Sequence, residues 1–120
     1  MNINQGDIFW LDLGEPEGSE PGFRRPVIII QNDIFNTSKL HTTVVCVCTN
    51  NLKRLKSPGN VMLKKGIGGV KKDCVINITQ ILIVDKSDLE ERLGSLPDKI
   101  LKETIAGINL LTKVIALPIE

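Results

Sequence analysis

The chain reads as a mainly β (α+β) domain, a small and strongly bent sheet or partly open barrel followed by one C-terminal helix. Three observations carry this. Short runs rich in Val and Ile follow one another between Gly- and Pro-containing turns. Strands do not alternate with helices, which removes the doubly wound nucleotide-binding folds, and the one long stripe at helical spacing comes last. At 120 residues, 42% apolar and 24% charged, the composition is that of one ordered domain over 1–120, too short for two cores.

Gly6-Asp7 introduces the first strand, Ile8 to Leu13, whose near-continuous apolarity predicts cover on both faces. Glu15 to Phe23 is a loop, broken at Pro16, Gly18, Pro21 and Gly22. Val27 to Ile30 is a run of β-branched residues, with Pro26 at the strand's first position, where a missing N–H costs least. A short turn or helical excursion over Asn32 to Lys39 leads to a third strand, Thr42 to Thr49. A polar loop, Asn50 to Asn60, precedes a short strand at Val61 to Leu63. Lys64 to Lys72 is a Gly-rich basic loop, and Cys74 to Val84 is a strand pair or one bent strand. Ser87 with Glu90 predicts a capped helical turn closed by Gly94, and Ser95 with Asp98 a second cap. The final helix aligns Leu101, Ile105, Ile108, Leu111 and Ile115 on one face.

Several function classes drop out. No run reaches the roughly 18 apolar residues of a membrane span, and the start lacks a basic, then apolar, leader, so a cytoplasmic protein is expected. Cys46, Cys48 and Cys74 are odd in number and lie in apolar runs, which predicts buried, reduced thiols. One His and three scattered Cys make a poor ligand set, so neither metal nor cofactor is expected. Because His41 is the only histidine, a two-histidine acid–base plan is excluded. No phosphate-binding Gly motif is present.

The net charge of +1 conceals a strong asymmetry. Between Pro21 and Lys72 there are ten Lys or Arg and one acid, Asp33, while the remainder holds five bases and thirteen acids. Two arrangements fit. Either Lys53, Arg54, Lys56, Lys64, Lys65, Lys71 and Lys72 present a face to a polyanion, or they merely solubilise loops while the flanking acids pair with them in the fold.

Chemistry concentrates in Gly18-Ser19-Glu20-Pro21-Gly22-Phe23-Arg24-Arg25-Pro26, where a loop brings an acid and two guanidinium groups to a strand mouth. A guanidinium is a planar, permanently charged fork of donors that fits phosphate and stabilises charge added to it. The competing structural role is a Glu20–Arg25 ion pair that pins the loop. Thr49 ends the third strand, where a Thr hydroxyl usually bonds a nearby backbone group.

The segment G-S-E-P-G-F-R-R-P-V-I-I-I-Q-N-D resembles the G-S/H-E-Q-x-G-x-R-P-V signature of the MazF/PemK family of toxin endoribonucleases. The likeness continues in Gly6-Asp7-Ile8-Phe9-Trp10, in Val47-Cys48-Thr49, in Ile78-Thr79-Gln80-Ile81 with Val84-Asp85, and in the terminal helix, over about 110 residues. The resemblance implies an SH3-like barrel of the CcdB/PemK type, a homodimer, and metal-independent cleavage of single-stranded RNA through its own 2′-hydroxyl. It also implies a cognate acidic antitoxin as partner.

Carried over by position, the resemblance makes Arg25 and Thr49 the catalytic pair and Glu20 their neighbour. Proton abstraction suits Glu20 or water better than an arginine of pKa above ~12. RNA contacts fall to Ser19, Arg24, Asn50, Asn51, Lys53, Arg54, Lys56, Lys64, Lys65, Lys71, Lys72, Asn77 and Gln80, in or beside the loops that flank the groove. Several positions depart from the family pattern. Ser19 stands where some members have His, Pro21 where Gln is usual, and Asn77 and Thr79 where some carry Arg and Asp. A non-catalytic toxin of gyrase-poison type, or an RNA-binding module, would use the same barrel.

Overall fold

The computed structural model describes residues 2–18 and 22–117. Its strands are β1 (Asp7–Asp12), β2 (Arg24–Ile29), β3 (Thr42–Thr49), β4 (Val61–Leu63), β5 (Cys74–Asp85) and β6 (Arg92–Ser95). They form one sheet in the order β4-β5-β3-β2-β1-β6, antiparallel at every pairing. A one-turn helix α1 (Asp33–Asn36) joins β2 to β3, and helix α2 (Asp98–Thr112) follows β6. No described helix is long and apolar enough to cross a membrane.

The unbroken apolarity of the central strands has the predicted cause, burial on both faces. Ile8, Ile28, Cys46, Cys48 and Ile76 join one cluster, while Phe9, Leu11, Val27, Val45 and Val47 join the other, following the two-residue period of a strand. Leu101, Ile105 and Ile108 of α2 pack on the first cluster, and Ile3 and Leu89 belong to the second. Each fully buried Ile or Val contributes about 1.5–3 kcal/mol. Leu111 and Ile115 depart from the expected stripe. Leu111 is exposed in the last turn, and Ile115 lies beyond the helix end at Thr112.

Pro26 lies inside β2, opposite Trp10, and not at the strand's start. Trp10 donates its N–H to Glu91 O (2.9 Å) and accepts from Glu90 N–H (2.9 Å), so both of its backbone groups face away from β2. The missing proline N–H therefore goes unneeded.

Cys74 to Asp85 is one bent strand. Cys46 pairs with Ile81 but its neighbour Val47 pairs with Asn77, which leaves Ile78, Thr79 and Gln80 without partners on β3. Such a bulge bends its strand and re-aims the side chains beside it.

The segment Ser87 to Gly94 corrects the sequence reading. A 3-10 turn over Lys86–Asp88 is capped by Asp85, which accepts from Ser87 N–H (3.0 Å) and Ser87 Oγ (2.8 Å). Those two bonds hold the Asp85 carboxyl below its ordinary value. Gly94 belongs to β6, where a Cβ would lie 2.5 Å from Gly68 O. Ser95 caps nothing, because its hydroxyl donates to Asp7 (2.9 Å), and α2 begins after Pro97 without a side-chain cap. The loop Asn50 to Asn60 likewise contains a 3-10 turn, Leu52–Lys56, started by Asn51 Oδ1 accepting from Lys53 N–H (3.2 Å).

No ladder joins β4 to β6. The 3-10 turn Ile67–Gly69, between β4 and β5, packs against β6 through its backbone and closes the curled sheet into a half-barrel.

Candidate functional site

Arg25 stands at the start of β2, next to the residues that lead into it. Gly22 is buried against Pro16, whose ring a Cβ at position 22 would strike, and Gly22 O accepts from Arg25 Nε (2.8 Å). Phe23 then turns the chain at φ 63° and is tied by Leu13 N–H to Phe23 O (2.8 Å) and Phe23 N–H to Gly14 O (2.5 Å). With Nε committed to the loop, the two terminal nitrogens of Arg25 have no ion-pair partner among the described residues. Glu20, its expected neighbour, lies outside the described residues with Ser19 and Pro21.

Arg25 lines two adjacent hollows. The first, about 190 Å³, is bounded by Pro16, Gly22, Thr49, Asn51, Arg54, Asn77 and Gln80. This is the space of roughly six waters, suited to a phosphoryl group and its surroundings. The second, about 220 Å³, adds Arg24, Asn50, Lys71 and Lys72 to walls made by Trp10, Pro26, Val70 and Cys74. Arg25 and Thr49, 24 positions apart in the chain, thus face one cavity, and four further candidates share each hollow. Lys53, Lys56, Lys64 and Lys65 are exposed and line neither.

Thr49 is a local partner of the backbone. Its Oγ1 accepts from Asn51 N–H (3.1 Å), which holds the side chain, while its own O–H proton remains to be donated. Arg24 is engaged elsewhere, stacked 4.4 Å from the Trp10 ring centroid and paired with Glu90 at 2.8 Å. Trp10 was legible only as a strand residue, since nothing in the sequence places it beneath Arg24.

Among the described residues the ion pairs are Arg24–Glu90 and Arg92–Asp7, and none involves Lys53, Arg54, Lys56, Lys64, Lys65, Lys71 or Lys72. The cysteines are free and buried as expected. Burial pushes the Cys46 thiol up to about 12, and its Sγ donates to Asn77 O (3.0 Å). Among the described residues no group of three or more His, Cys, Asp or Glu side chains is placed to hold a metal.

Comparison with known proteins agrees with this architecture. Residues 4–112 match the family described as PemK-like, MazF-like toxin of type II toxin–antitoxin system. The chain is 40% identical over 109 residues to a protein of Mycobacterium bovis named Endoribonuclease MazF2, covering 91% of this chain and 96% of that one. It is 38% identical over 108 residues to Endoribonuclease MazF of Staphylococcus saprophyticus, covering 90% and 89%. In fold it superposes on MazF from Deinococcus radiodurans with a TM-score of 0.77 at 23% identity, covering 95% and 99% of the two chains. A mycobacterial endoribonuclease solved in complex with its cognate antitoxin gives 0.76 at 16% identity, covering 95% and 99%.

Proposed function

Since this chain belongs to the PemK-like, MazF-like family of type II toxins, we propose that it is a sequence-specific, metal-independent endoribonuclease acting on single-stranded RNA in the cytoplasm. One observation carries the reading, the meeting of Arg25 and Thr49 in one cavity with Arg54, neither arginine ion-paired among the described residues. The names of the curated relatives support it.

The RNA supplies its own nucleophile. The 2′-oxygen bonds to phosphorus as its proton passes to Glu20 or water, and the bond to the 5′-oxygen breaks as that oxygen gains a proton. A 2′,3′-cyclic phosphate and a 5′-hydroxyl remain. Arg25 places its charged fork on the non-bridging oxygens, where charge builds in the transition state, and Thr49 donates its hydroxyl proton to the same group. Glu20 enters through the family resemblance alone.

Incubation with a long mixed-sequence RNA in EDTA, with every new 5′ end mapped, tests this. Discrete 5′-hydroxyl ends sharing a short motif are expected. Intact RNA, or cleavage only after a divalent metal is restored, overturns the reading.

The partners follow the same logic. We read the protein as a homodimer bound by an acidic antitoxin segment, to which the exposed lysines, none ion-paired among the described residues, are complementary. Lys71 and Lys72 border the second hollow, so the double change Lys71→Ala, Lys72→Ala is expected to weaken RNA binding and lower the magnitude of the log K against log salt slope by about 1 to 1.5. An unchanged slope in a salt titration places these two lysines off the RNA path.

A further inference from the structure

Asn77 stands where β5 enters its bulge and is 4% exposed. Hydrogen bonds starting from the backbone set the orientation of its amide. Ile78 N–H donates to Asn60 Oδ1 (3.0 Å), which turns Asn60 Nδ2 towards the Arg54 carbonyl (2.9 Å) and Asn77 Oδ1 (3.3 Å). A donor at that point requires an acceptor opposite, and the Thr79 hydroxyl donates to the same Asn77 oxygen at 2.9 Å. Asn77 Nδ2 is left with two N–H groups and no acceptor among the described residues. No fully buried side-chain nitrogen or oxygen among those residues lacks a partner, so this nitrogen is not sealed from solvent, and Asn77 lines the cavity shared with Arg25 and Thr49.

We propose that Asn77 is a third donor to the scissile phosphate, and that Asn60 is the positioning residue that holds its amide with the nitrogen facing the cavity. The proposal rests on the RNA-cleavage reading above. Asn60 bonds at once to the Arg54 carbonyl and to the β5 bulge, so it joins the two segments whose side chains complete the cavity.

The test uses variants of nearly unchanged shape. Asn77→Asp replaces the donor by a carboxylate oxygen and is expected to lower kcat about 10²-fold, with KM nearly constant and the melting midpoint retained. Asn60→Asp keeps the bond from Ile78 N–H but turns an acceptor towards Asn77, so the Asn77 amide rotates and kcat falls about tenfold. In an Asn77→Ala background, Asn60→Asp is expected to add nothing. Full kcat in Asn77→Asp, or multiplying losses from Asn60→Asp and Asn77→Ala, overturns the proposal.

A second measurement does not need turnover. On adding a single-stranded 2′-O-methyl RNA, the side-chain amide resonances of Asn77 are expected to shift in the wild type and to stay in place in Asn60→Asp. Bound RNA with unmoved Asn77 resonances in the wild type overturns the proposal while leaving the cleavage reading intact. A wild-type protein that neither binds nor cleaves RNA removes both.

Discussion

Arg25→Ala is expected to lower RNA cleavage by about 10³-fold or more while leaving the fold and the melting midpoint nearly unchanged. Arg25 is half-buried at the mouth of β2, outside both apolar clusters, and among the described residues its side chain holds the fold only through the hydrogen bond to Gly22 O. What disappears in the reaction is a permanent charge shared by both hollows. Arg25→Lys is expected to recover little, because an ammonium on a flexible stem cannot reproduce a planar fork anchored through one nitrogen. Arg24→Ala is the informative companion. Its guanidinium already rests on Trp10 and Glu90, so a loss below about tenfold is expected. Equal losses at the two arginines, measured as kcat/KM on one RNA, would mean that the cavity does not single out Arg25.

The largest expected effect on stability belongs to Gly69→Ala. Gly69 has φ 83°, and a Cβ there would run into the carbonyl oxygen of Leu93 in β6. Backbone has to move at the seam that closes the half-barrel, which neither strand pairing nor a flexible side chain can absorb. A loss of about 3 kcal/mol is expected, or roughly 10–15 °C in melting midpoint for a domain of this size. Gly66→Ala separates collision from conformational strain. Gly66 has φ 91° but nothing within 4 Å of the added carbon, so its cost is expected near 1 kcal/mol. Matching thermal shifts for the two variants would show that the approach of the turn to β6 contributes nothing to stability.

Most strands were legible because their signals are local. Thr42–Thr49 and Val61–Leu63 coincide with the expected spans, and the apolar runs of β1 and β2 proved buried on both faces. The misread segment was Ser87 to Gly94, where a capping pattern competed with a strand partner far away in sequence. β6 exists because β1 offers it a free edge, with Asp7 opposite Ser95 and Ile8 opposite Gly94. The serine expected as a helix cap was claimed instead by Asp7.

The site divides along the same line. A loop that brings cations to a strand mouth and a basic middle segment are properties of residue type and local spacing, so Arg24, Arg25 and the lysines could be noted from the chain alone, whereas the pairing of Arg25 with Thr49 as catalytic residues came from the family resemblance. Which groups meet is a property of strand register and of the β5 bulge. Three residues without partners on β3 bring Asn77 and Gln80 to the cavity, and they place the Ile78 N–H where Asn60 can accept from it. Hydropathy and turn chemistry act over a few neighbours, whereas the direction of an amide follows from hydrogen bonds between residues brought together when the sheet curls. The polarity of Asn77 therefore emerged only once the barrel was folded.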